Sequence, residues 1–282
     1  MMLQNLPATQ TAVFPAITIF LLGLALLISA LGFIRVVYFV SIGYAFSITA
    51  MAAVLLIAQR QNLTVTAVLH SLLLITWGLR LGIYLVRREF QPSYRQELAS
   101  IARRGEHVKG LLKLVVWVGV SLLYVSMISP NLFSLTNPSS FSPAVTMAVQ
   151  VVGLLVMAGG LLLEALADRQ KSAFKAQHPR DFCSVGLYRW VRCPNYLGEI
   201  MFWVGNWFMG LAFYVLFIHW VVALIGLVCI VLIMMGSTKR LEKQQDGRYG
   251  QQPAYQEYVR SVPVLFPFVP IYSLKNVRVY LE

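Results

Sequence analysis

The segment "PAVTMAVQVVGLLVMAGGLLLEAL", residues 143–166, contains a single charged side chain, Glu164. An apolar run of this length is long enough to cross the roughly 30 Å hydrocarbon core of a bilayer as a helix. The whole chain of 282 residues shares this character, since its mean hydropathy is +0.70 and only 12% of its residues are charged. Soluble globular domains have roughly 25% charged residues. The sequence therefore predicts an all-α, polytopic helical bundle in a membrane.

Similar apolar windows lie on both sides of this segment, and about seven transmembrane helices are predicted. Their approximate bounds are 13–33, 36–58, 64–86, 111–128, 143–166, 198–215 and 217–236. The sixth and seventh windows are short, so we expect a tight turn between them near Tyr214 to His219. The start, MMLQNLPATQTAVFP, lacks the basic region of a cleavable signal, so the first window is expected to remain as a span. Without internal repeats or long linkers, residues 1–282 are expected to form a single domain.

The basic residues alternate between the two sides of these windows. They are Arg87, Arg88, Arg95, Arg103, Arg104, Lys109 and Lys113 after the third window; Arg169, Lys171, Lys175, Arg180, Arg189 and Arg192 after the fifth; and Lys239, Arg240, Lys243, Arg248 and Arg260 after the seventh. Residues 129–142, SPNLFSLTNPSSFS, carry no charge. Because Lys and Arg in short loops favour the cytoplasm, we expect the N-terminus outside and the C-terminus in the cytosol.

The net charge of +12 is mostly explained by this topology and by anionic lipid headgroups. The same loops would also suit an anionic cofactor that arrives from the cytosol. Nucleic acid binding is not expected without a soluble module that presents the charge. A disulfide framework or thiolate metal site is not expected from Cys183, Cys193 and Cys229, which are odd in number and form no CxxC pair. A metal is also disfavoured by the scattered positions of His70, His107, His178 and His219.

Two acidic residues interrupt the end of the fifth window. Glu164 and Asp168 are four residues apart and share one helix face, which Lys171 and Lys175 continue. A charged side chain inside an apolar run costs at least about 2.5–3.5 kcal/mol on insertion scales. Two interpretations are open: the acids snorkel to the interface with an internal Arg or Lys partner, or this face lines a polar pocket open to the cytosol.

The third window ends in a second group of this kind, "TWGLRLGIYLVRREF", residues 76–90. Arg80 and Tyr84 are four residues apart, and Arg80 lies nearly two turns before Arg87 and Arg88. Snorkelling could carry Arg80 toward the interface. If this face instead meets that of Glu164, a cationic and an anionic stripe converge on one cavity.

The stretch "VRCPNYLGEI", residues 191–200, opens the sixth window. Pro194 suits the first turn of a helix, where its missing N–H is not needed. Asn195 and Glu199 then share a face near the positive end of the helix dipole, beside Tyr196. This arrangement indicates either a ligand-binding surface or a capped helix entrance with an interfacial Tyr.

The tail "LEKQQDGRYGQQPAYQEYVRSVPVLFPFVP", residues 241–270, places Tyr249, Tyr255 and Tyr258 among charges and ends in an apolar segment. That segment is broken by Pro, so it cannot span and is expected to lie on the bundle at the interface, where it could cap a cytosolic cavity.

Glu164-xxx-Asp168, GLYRWVRCPNYLGE at 186–199 and the Tyr-rich tail together resemble the membrane steroid 5-alpha-reductase-like superfamily, in particular its bacterial, DUF1295-type branch. The resemblance covers roughly 80–282 and implies NADPH in a cytosol-facing cavity between the later spans. It implies that Asn195 and Glu199 contact the nicotinamide end and that Asp168 and Glu164 hold the adenosine portion. The other cofactor-binding residues that it implies are Arg80, Tyr84, Lys175, Tyr188, Arg192, Tyr196, Tyr255 and Tyr258.

Isoprenylcysteine carboxyl methyltransferases are more weakly similar, since they share an R-x-P-x-Y-x-G element and a YxxYxxxVPxxxPF tail. They usually lack the Asn and Glu that stand here at Asn195 and Glu199. The chain also departs from the reductases: Cys193 replaces a common His, Trp77 stands where steroid reductases have a Tyr, and residues 36–58 contain no acid. The substrate is therefore not required to be a 3-keto-4-ene steroid.

These observations lead to the expectation of an NADPH-dependent reductase of a carbon–carbon double bond in a steroid or sterol, a polyprenoid or an enoyl lipid. Glu199 and Tyr84 are the candidate catalytic residues, and either Tyr84 or a bound water would protonate the developing enolate. The alternatives are an S-adenosylmethionine-dependent membrane methyltransferase and, less favoured without an inverted repeat, a transporter or lipid-binding scaffold. We expect the bacterial inner membrane, a cofactor site facing the cytoplasm, membrane lipids and a lipophilic substrate as partners, and no obligate protein partner.

Overall fold

The computed structural model describes residues 13–61, 63–90 and 110–277, and these residues form helices and connecting loops without a β-strand. The helices are α1 (Ile17–Ser29), α2 (Ile42–Ala58), α3 (Val65–Glu89), α4 (Gly110–Thr136), α5 (Pro143–Gln177), α6 (Pro194–Gly210), α7 (Phe217–Tyr249) and α8 (Pro253–Ser261). Short 3-10 turns lie at Ala30–Phe33, Val36–Val40, Gly186–Arg189 and Leu211–Phe213. The predicted all-α helical bundle is confirmed.

Five of the described helical segments are long and apolar enough to cross a membrane: Val36–Ala58, Val65–Glu89, Gly110–Thr136, Pro143–Gln177 and Phe217–Tyr249. The first and sixth predicted windows correspond to shorter helices, Ile17–Phe33 and Pro194–Gly210. The number of crossings and the orientation of the chain therefore stay predictions. The basic residues Arg95, Arg103, Arg104 and Lys109 lie outside the described residues.

The connection between α6 and α7 differs from the expected turn. It occupies residues 211–216, so His219 already belongs to the first turn of α7. The Nδ1 atom of His219 accepts a hydrogen bond from the backbone N–H of Leu216 at 3.4 Å, which satisfies a donor at the start of the helix. The helix also continues to Tyr249 instead of ending near residue 236, because its polar second half is stabilised by contacts with the tail.

Helices α5 and α6 approach each other so closely that glycine is needed at the contact. A Cβ atom on Gly160 would lie 2.6 Å from the carbonyl oxygen of Gly198, and one on Gly198 would lie 2.6 Å from the backbone nitrogen of Glu164. About two helical turns further along α6, a Cβ atom on Gly205 would likewise lie 2.6 Å from the backbone nitrogen of Met157. Small residues allow helix backbones to pack in contact inside a membrane. This contact places Glu164 beside the first turns of α6.

Buried polar side chains link further helices across the bundle. His70 on α3 and Asn206 on α6 are joined by a hydrogen bond of 2.8 Å between Nε2 and Oδ1. Asn206 also donates from Nδ2 to the carbonyl oxygen of Met127 on α4 at 3.0 Å. These bonds fix α3, α4 and α6 relative to one another in the apolar interior.

The apolar tail after α8 packs against the bundle, as predicted. Its carbonyl groups at Pro263 and Val264 accept hydrogen bonds from the backbone N–H groups of Arg192 and Cys193 at 2.9 and 3.1 Å. Val264 and Leu265 are fully buried. The tail is therefore fixed directly in front of the N-terminus of α6.

Candidate functional site

Arg80 joins the two charged faces that the sequence singled out. Its guanidinium donates to Asp168 Oδ2 at 2.9 Å and also to Glu164 Oε1, while the indole of Trp77 donates to Glu164 Oε2 at 3.0 Å. The Glu164 side chain is 3% exposed and the Arg80 side chain 21% exposed. The two faces therefore meet, which was the condition for a cationic and an anionic stripe to converge, and Glu164 also has the internal Arg partner that the other interpretation required.

A cavity of about 430 Å³ adjoins this ion pair. It lies between α3 and α5 and is lined by Arg80, Ile83, Tyr84, Arg87, Ala165, Asp168, Arg169 and Ser172. Its volume falls within the range of roughly 300–1,000 Å³ that is usual for small-molecule sites. Of the three guanidinium groups at its wall, that of Arg80 is paired with Glu164 and Asp168, so Arg87 and Arg169 are the groups suited to anions; one carboxylate and two hydroxyl groups add further polar groups.

Glu199 lies in the second turn of α6 and is buried. One of its carboxylate oxygens accepts a hydrogen bond of 3.2 Å from the hydroxyl group of Tyr44 on α2. The Tyr44 ring packs edge to face against Trp77, with 5.1 Å between the ring centroids. Since Trp77 also donates to Glu164, an aromatic contact connects the two buried carboxylates.

Tyr44 was not found by the sequence reasoning. The signal that could have found it is its position in the middle of an apolar helix, because a buried Tyr hydroxyl usually has a hydrogen-bond partner. Nothing local in the sequence indicates that this partner is Glu199, since the two residues lie on helices that are distant in the chain.

A second polar group lies where the tail meets α6 and α7; we call it the C-terminal cap. The buried Arg192 donates to Glu242 Oε1 at 2.9 Å and to the carbonyl oxygen of Tyr272, and the other oxygen of Glu242 accepts from the N–H of Leu274 at 2.8 Å. The sequence reasoning did not single out Glu242. In the sequence, Glu242 is an acid one helical turn after the basic pair Lys239 and Arg240. Such a pattern by itself is typical of an exposed helix face.

The remaining predicted residues also make contacts in the C-terminal cap. The Lys175 ammonium group donates to the carbonyl oxygen of Asp181 and to the Tyr249 hydroxyl group, the latter at 2.7 Å. Tyr255 donates to Asp246 at 2.8 Å, and Tyr258 donates to the carbonyl oxygen of Tyr188 at 2.7 Å.

Burial also affects the ionisable groups of the cap. It raises the pKa of Tyr188, Tyr255 and Tyr258 above the usual value of a tyrosine, which is already protonated at neutral pH. Burial raises the pKa of the Cys193 thiol to about 12, so this group stays a neutral thiol; a thiol has no cationic form with which to replace a His at this position.

The structure thus sorts most of the predicted residues into two groups. Arg80, Tyr84 and Asp168 line the cavity, Glu164 is bonded to Arg80 beside it, and Glu199 lies close to them through the contact of Gly198 with Glu164. Lys175, Tyr188, Arg192, Tyr255 and Tyr258 belong to the C-terminal cap. Asn195 and Tyr196 are half-buried in the first turn of α6, and Tyr196 packs against the apolar core.

The two groups are joined through α5. The hydroxyl group of Tyr188 donates to the carbonyl oxygen of Ala167 at 3.3 Å, and the N–H of Leu187 donates to Gln170 Oε1 at 2.9 Å. The turn that precedes the VRCPNYLGEI stretch therefore rests on the helix that carries Asp168.

The chemistry of the cavity suits an anionic ligand. Arg87 and Arg169 are suited to phosphate groups, and the carboxylate of Asp168 is an acceptor for hydroxyl groups. The Nε atom of Arg80 is buried and has no hydrogen-bond partner among the described residues.

Comparison with known proteins identifies the family of this chain. A family model described as "Protein of unknown function (DUF1295)" matches residues 27–262. A steroid 5-alpha-reductase of Solanum lycopersicum, DET2, is 40% identical over 74 residues, which cover 23% of this chain and 27% of the relative. An uncharacterised protein of Schizosaccharomyces pombe is 34% identical over 89 residues, which cover 31% of this chain and 24% of the relative.

The chain thus spans about a quarter of the length of these curated relatives. No solved structure matches it. The family match and the partial match to the plant reductase confirm the resemblance that the sequence motifs indicated.

Proposed function

Since this chain belongs to the DUF1295 family, whose members resemble steroid 5-alpha-reductases, we propose that it is an NADPH-dependent reductase of a carbon–carbon double bond in a lipid-soluble substrate. The observation that carries the proposal is the pair of salt bridges from Arg80 to Glu164 and to Asp168, at the wall of an arginine-lined cavity. The partial identity with a plant steroid 5-alpha-reductase supports the reaction class.

The residues at the cavity would hold the cofactor by its polar parts. Arg87 and Arg169 bind the phosphate groups, and Asp168 accepts from ribose hydroxyl groups while Arg80 holds it in place. When bound, NADPH supplies the hydride. The protein contributes binding and orientation, as is general for cofactor enzymes.

The first turns of α6 are suited to a carboxamide. Asn195 offers an amide donor and acceptor, and the Glu199 carboxylate is an acceptor that Tyr44 holds in one orientation. Because Glu199 is buried, a hydrogen bond to its carboxylate is shielded from water and correspondingly strong. We propose that this pair positions the nicotinamide end.

Reduction of an activated alkene also requires a proton. Tyr84 lines the cavity, and the Tyr44 hydroxyl group contacts Glu199, so two tyrosines are candidate acids in addition to a bound water. Residues 36–58 contain no carboxylic acid, but Tyr44 provides a hydroxyl group on α2 as a proton donor. Trp77 donates its N–H to Glu164 and is not itself an acid.

The substrate class follows from the location of the site within apolar helices. A steroid or sterol, a polyprenoid or an enoyl lipid could reach it from the membrane. We propose one domain over residues 1–282, with the cofactor half at about 80–282, in the bacterial inner membrane with the cavity facing the cytoplasm.

Binding of nucleotides to the full chain purified in detergent tests the proposal. We expect NADPH to bind at micromolar concentrations and S-adenosylmethionine not to bind. The variant Arg169→Gln should weaken NADPH binding, whereas Arg35→Gln, at an exposed ion pair with Glu89, serves as the matched control and should not. Binding of S-adenosylmethionine without NADPH would overturn the proposal in favour of a membrane methyltransferase.

A further inference from the structure

The tail carries an exposed apolar loop, Phe266–Pro267–Phe268–Val269–Pro270–Ile271–Tyr272, which we call the FPFVPIY loop. Phe268 at its tip is 89% exposed, and Val269, Ile271 and Tyr272 are each exposed by 40% or more. These side chains form one contiguous apolar stretch. Apolar side chains exposed together in this way usually mark an interaction surface.

The backbone at the tip points to the same conclusion. Phe268 has a φ angle of +65°, and among the described non-glycine residues it alone has a positive φ. A bulky residue in this region of φ/ψ space is disfavoured and is retained where the surroundings or the function require it. Its exposed side chain gains little packing within the described part of the chain, so the conformation presents Phe268 to something outside the protein.

Hydrogen bonds hold the loop on both sides. On its N-terminal side, the Val264 N–H donates to the carbonyl oxygen of Ile271 at 2.9 Å, and the Val264 carbonyl oxygen accepts from Cys193. On its C-terminal side, the N–H of Leu274 donates to Glu242, and Lys239 donates to the carbonyl oxygen of Val277 at 2.9 Å. The FPFVPIY loop is therefore held at a fixed position along α7.

That position can be compared with the thickness of a bilayer. The apolar part of α7 ends at Met235, and the tail is attached at Lys239 and Glu242. At 1.5 Å per residue, these points lie about 6 and 10 Å beyond the apolar part. The headgroup layer on each side of the hydrocarbon core is about 5–8 Å thick. The attachment at Lys239 thus lies within the headgroup layer and the one at Glu242 just beyond it, which places the FPFVPIY loop beside the membrane surface.

The charges around the loop complement an anionic membrane. Arg240 and Lys243 are exposed on α7 near the attachment points, and Arg260 is exposed at the end of α8. On α7 itself, the acids Glu242 and Asp246 are paired with Arg192 and Lys275, so they do not neutralise Arg240 and Lys243; Glu257 lies three residues before Arg260 on α8. Exposed cations beside inserted aromatic and aliphatic side chains are typical of interfacial membrane anchors.

From these observations we infer that the FPFVPIY loop is a membrane-surface anchor that inserts Phe268, Val269 and Ile271 among anionic lipid headgroups of the bilayer that holds the helices. Arg240 and Lys243 then face the lipid phosphates. Because the same tail residues contact Arg192 and Cys193, the anchor ties the C-terminal cap and the start of α6 to the membrane surface. This inference is independent of the proposed reaction.

Spin labelling of the full chain in nanodiscs tests this inference. A nitroxide at Phe268→Cys is compared with one at Glu257→Cys, an exposed position on the polar part of α8, in a Cys229→Ser background that leaves Cys183 and Cys193 buried. In nanodiscs of phosphatidylcholine and phosphatidylglycerol, the label at 268 should be accessible to oxygen and protected from a water-soluble nickel chelate. The label at 257 should show the opposite preference.

A second comparison examines the charges. Replacing Arg240 and Lys243 together by Gln should make the label at 268 more accessible to the nickel chelate, and so should nanodiscs of phosphatidylcholine alone. Equal nickel access at 268 and 257 in the anionic nanodiscs would overturn the inference. Spin–spin broadening between labels on two chains would also overturn it, in favour of a contact between copies of this chain.

Discussion

Glu199 shows how a single residue of the motif gains its properties from a distant helix. The motif places it in the second turn of α6, whereas its hydrogen-bond partner, Tyr44, lies 155 residues away in the sequence. A carboxylate held by one donor in a buried site retains capacity for a second. Glu199 can thus be fixed by the protein and still accept from a ligand.

The replacement Glu199→Gln tests this role. Gln keeps the volume and can still accept from Tyr44, but it loses a charge-assisted hydrogen bond of roughly 1.5–3 kcal/mol. NADPH affinity should fall about tenfold or more, because each 1.4 kcal/mol corresponds to a factor of about ten. The unfolding temperature in detergent should stay near that of the wild type. If NADPH affinity is unaltered in both Glu199→Gln and Asp168→Asn, neither residue belongs to the cofactor site.

Arg80 is expected to be essential for stability as well as for binding. The replacement Arg80→Met leaves Glu164 and Asp168 buried without their cation, and breaking a buried pair in this way costs about 3–5 kcal/mol. The matched change Arg35→Met breaks a pair whose Arg side chain is 48% exposed, so its cost should be about 1 kcal/mol or less. Thermal unfolding of both variants in the same detergent measures the difference. Equal decreases in the unfolding temperature of the two variants would show that Arg80, Glu164 and Asp168 are effectively solvated.

At the scale of elements, the contact between α5 and α6 determines how the acids meet. The glycines of the two helices let the backbones touch, so that Glu164 lies against Gly198, the neighbour of Glu199. The site is thus built on two rigid helices and does not depend on a loop for the position of these carboxylates. Sites on helices hold their geometry better than sites on loops.

Two adjacent glycines of α5 provide a controlled test of this contact. A Cβ atom at Gly160 would lie 2.5 Å from the backbone nitrogen of Phe202, whereas one at Gly159 would have the Met201 Cε atom, at 3.9 Å, as its nearest neighbour. Gly160→Ala should therefore destabilise the protein by about 1–3 kcal/mol and weaken NADPH binding, because α6 must move. Gly159→Ala should be neutral or stabilising. Similar melting temperatures for the two variants would contradict the close packing of α5 and α6.

At the scale of the whole molecule, two polar centres are connected through Ala167 and Gln170 of α5. The cavity centre draws on α2, α3, α5 and α6, and the cap centre draws on α5, the segment before α6, α7, α8 and the tail. Each contains a buried ion pair, Arg80 with Glu164 and Arg192 with Glu242. Both are expected to face the cytosol, since the basic loops lie at that end of the chain's predicted topology.

The orientation can be tested by labelling with an impermeant maleimide in intact cells. A Cys introduced at Ser139, which is exposed in the uncharged segment between α4 and α5, should react, and one at Glu257 on α8 should not. The native Cys183 and Cys193 should remain unlabelled, since both are buried and burial raises the pKa of each thiol. A Cys229→Ser background removes the third thiol. Labelling at position 257 alone would reverse the predicted topology. Ser100, another predicted cytosolic position, lies outside the described residues.

The sequence by itself determined the class of fold, because apolar runs of span length have few stable alternatives to membrane helices. It also placed Arg80 with Tyr84, Glu164 with Asp168 and Asn195 with Glu199 on shared helix faces, since four-residue spacing is a local property of a helix. Only the tertiary structure decided which faces meet. The Arg80–Glu164 bond joins residues 84 positions apart, and neither Tyr44 with Glu199 nor Arg192 with Glu242 leaves a local pattern. The physical reason is that periodicity records the side of a helix that is buried, whereas the identity of its neighbour depends on packing between distant segments, here on the glycines that bring α5 against α6.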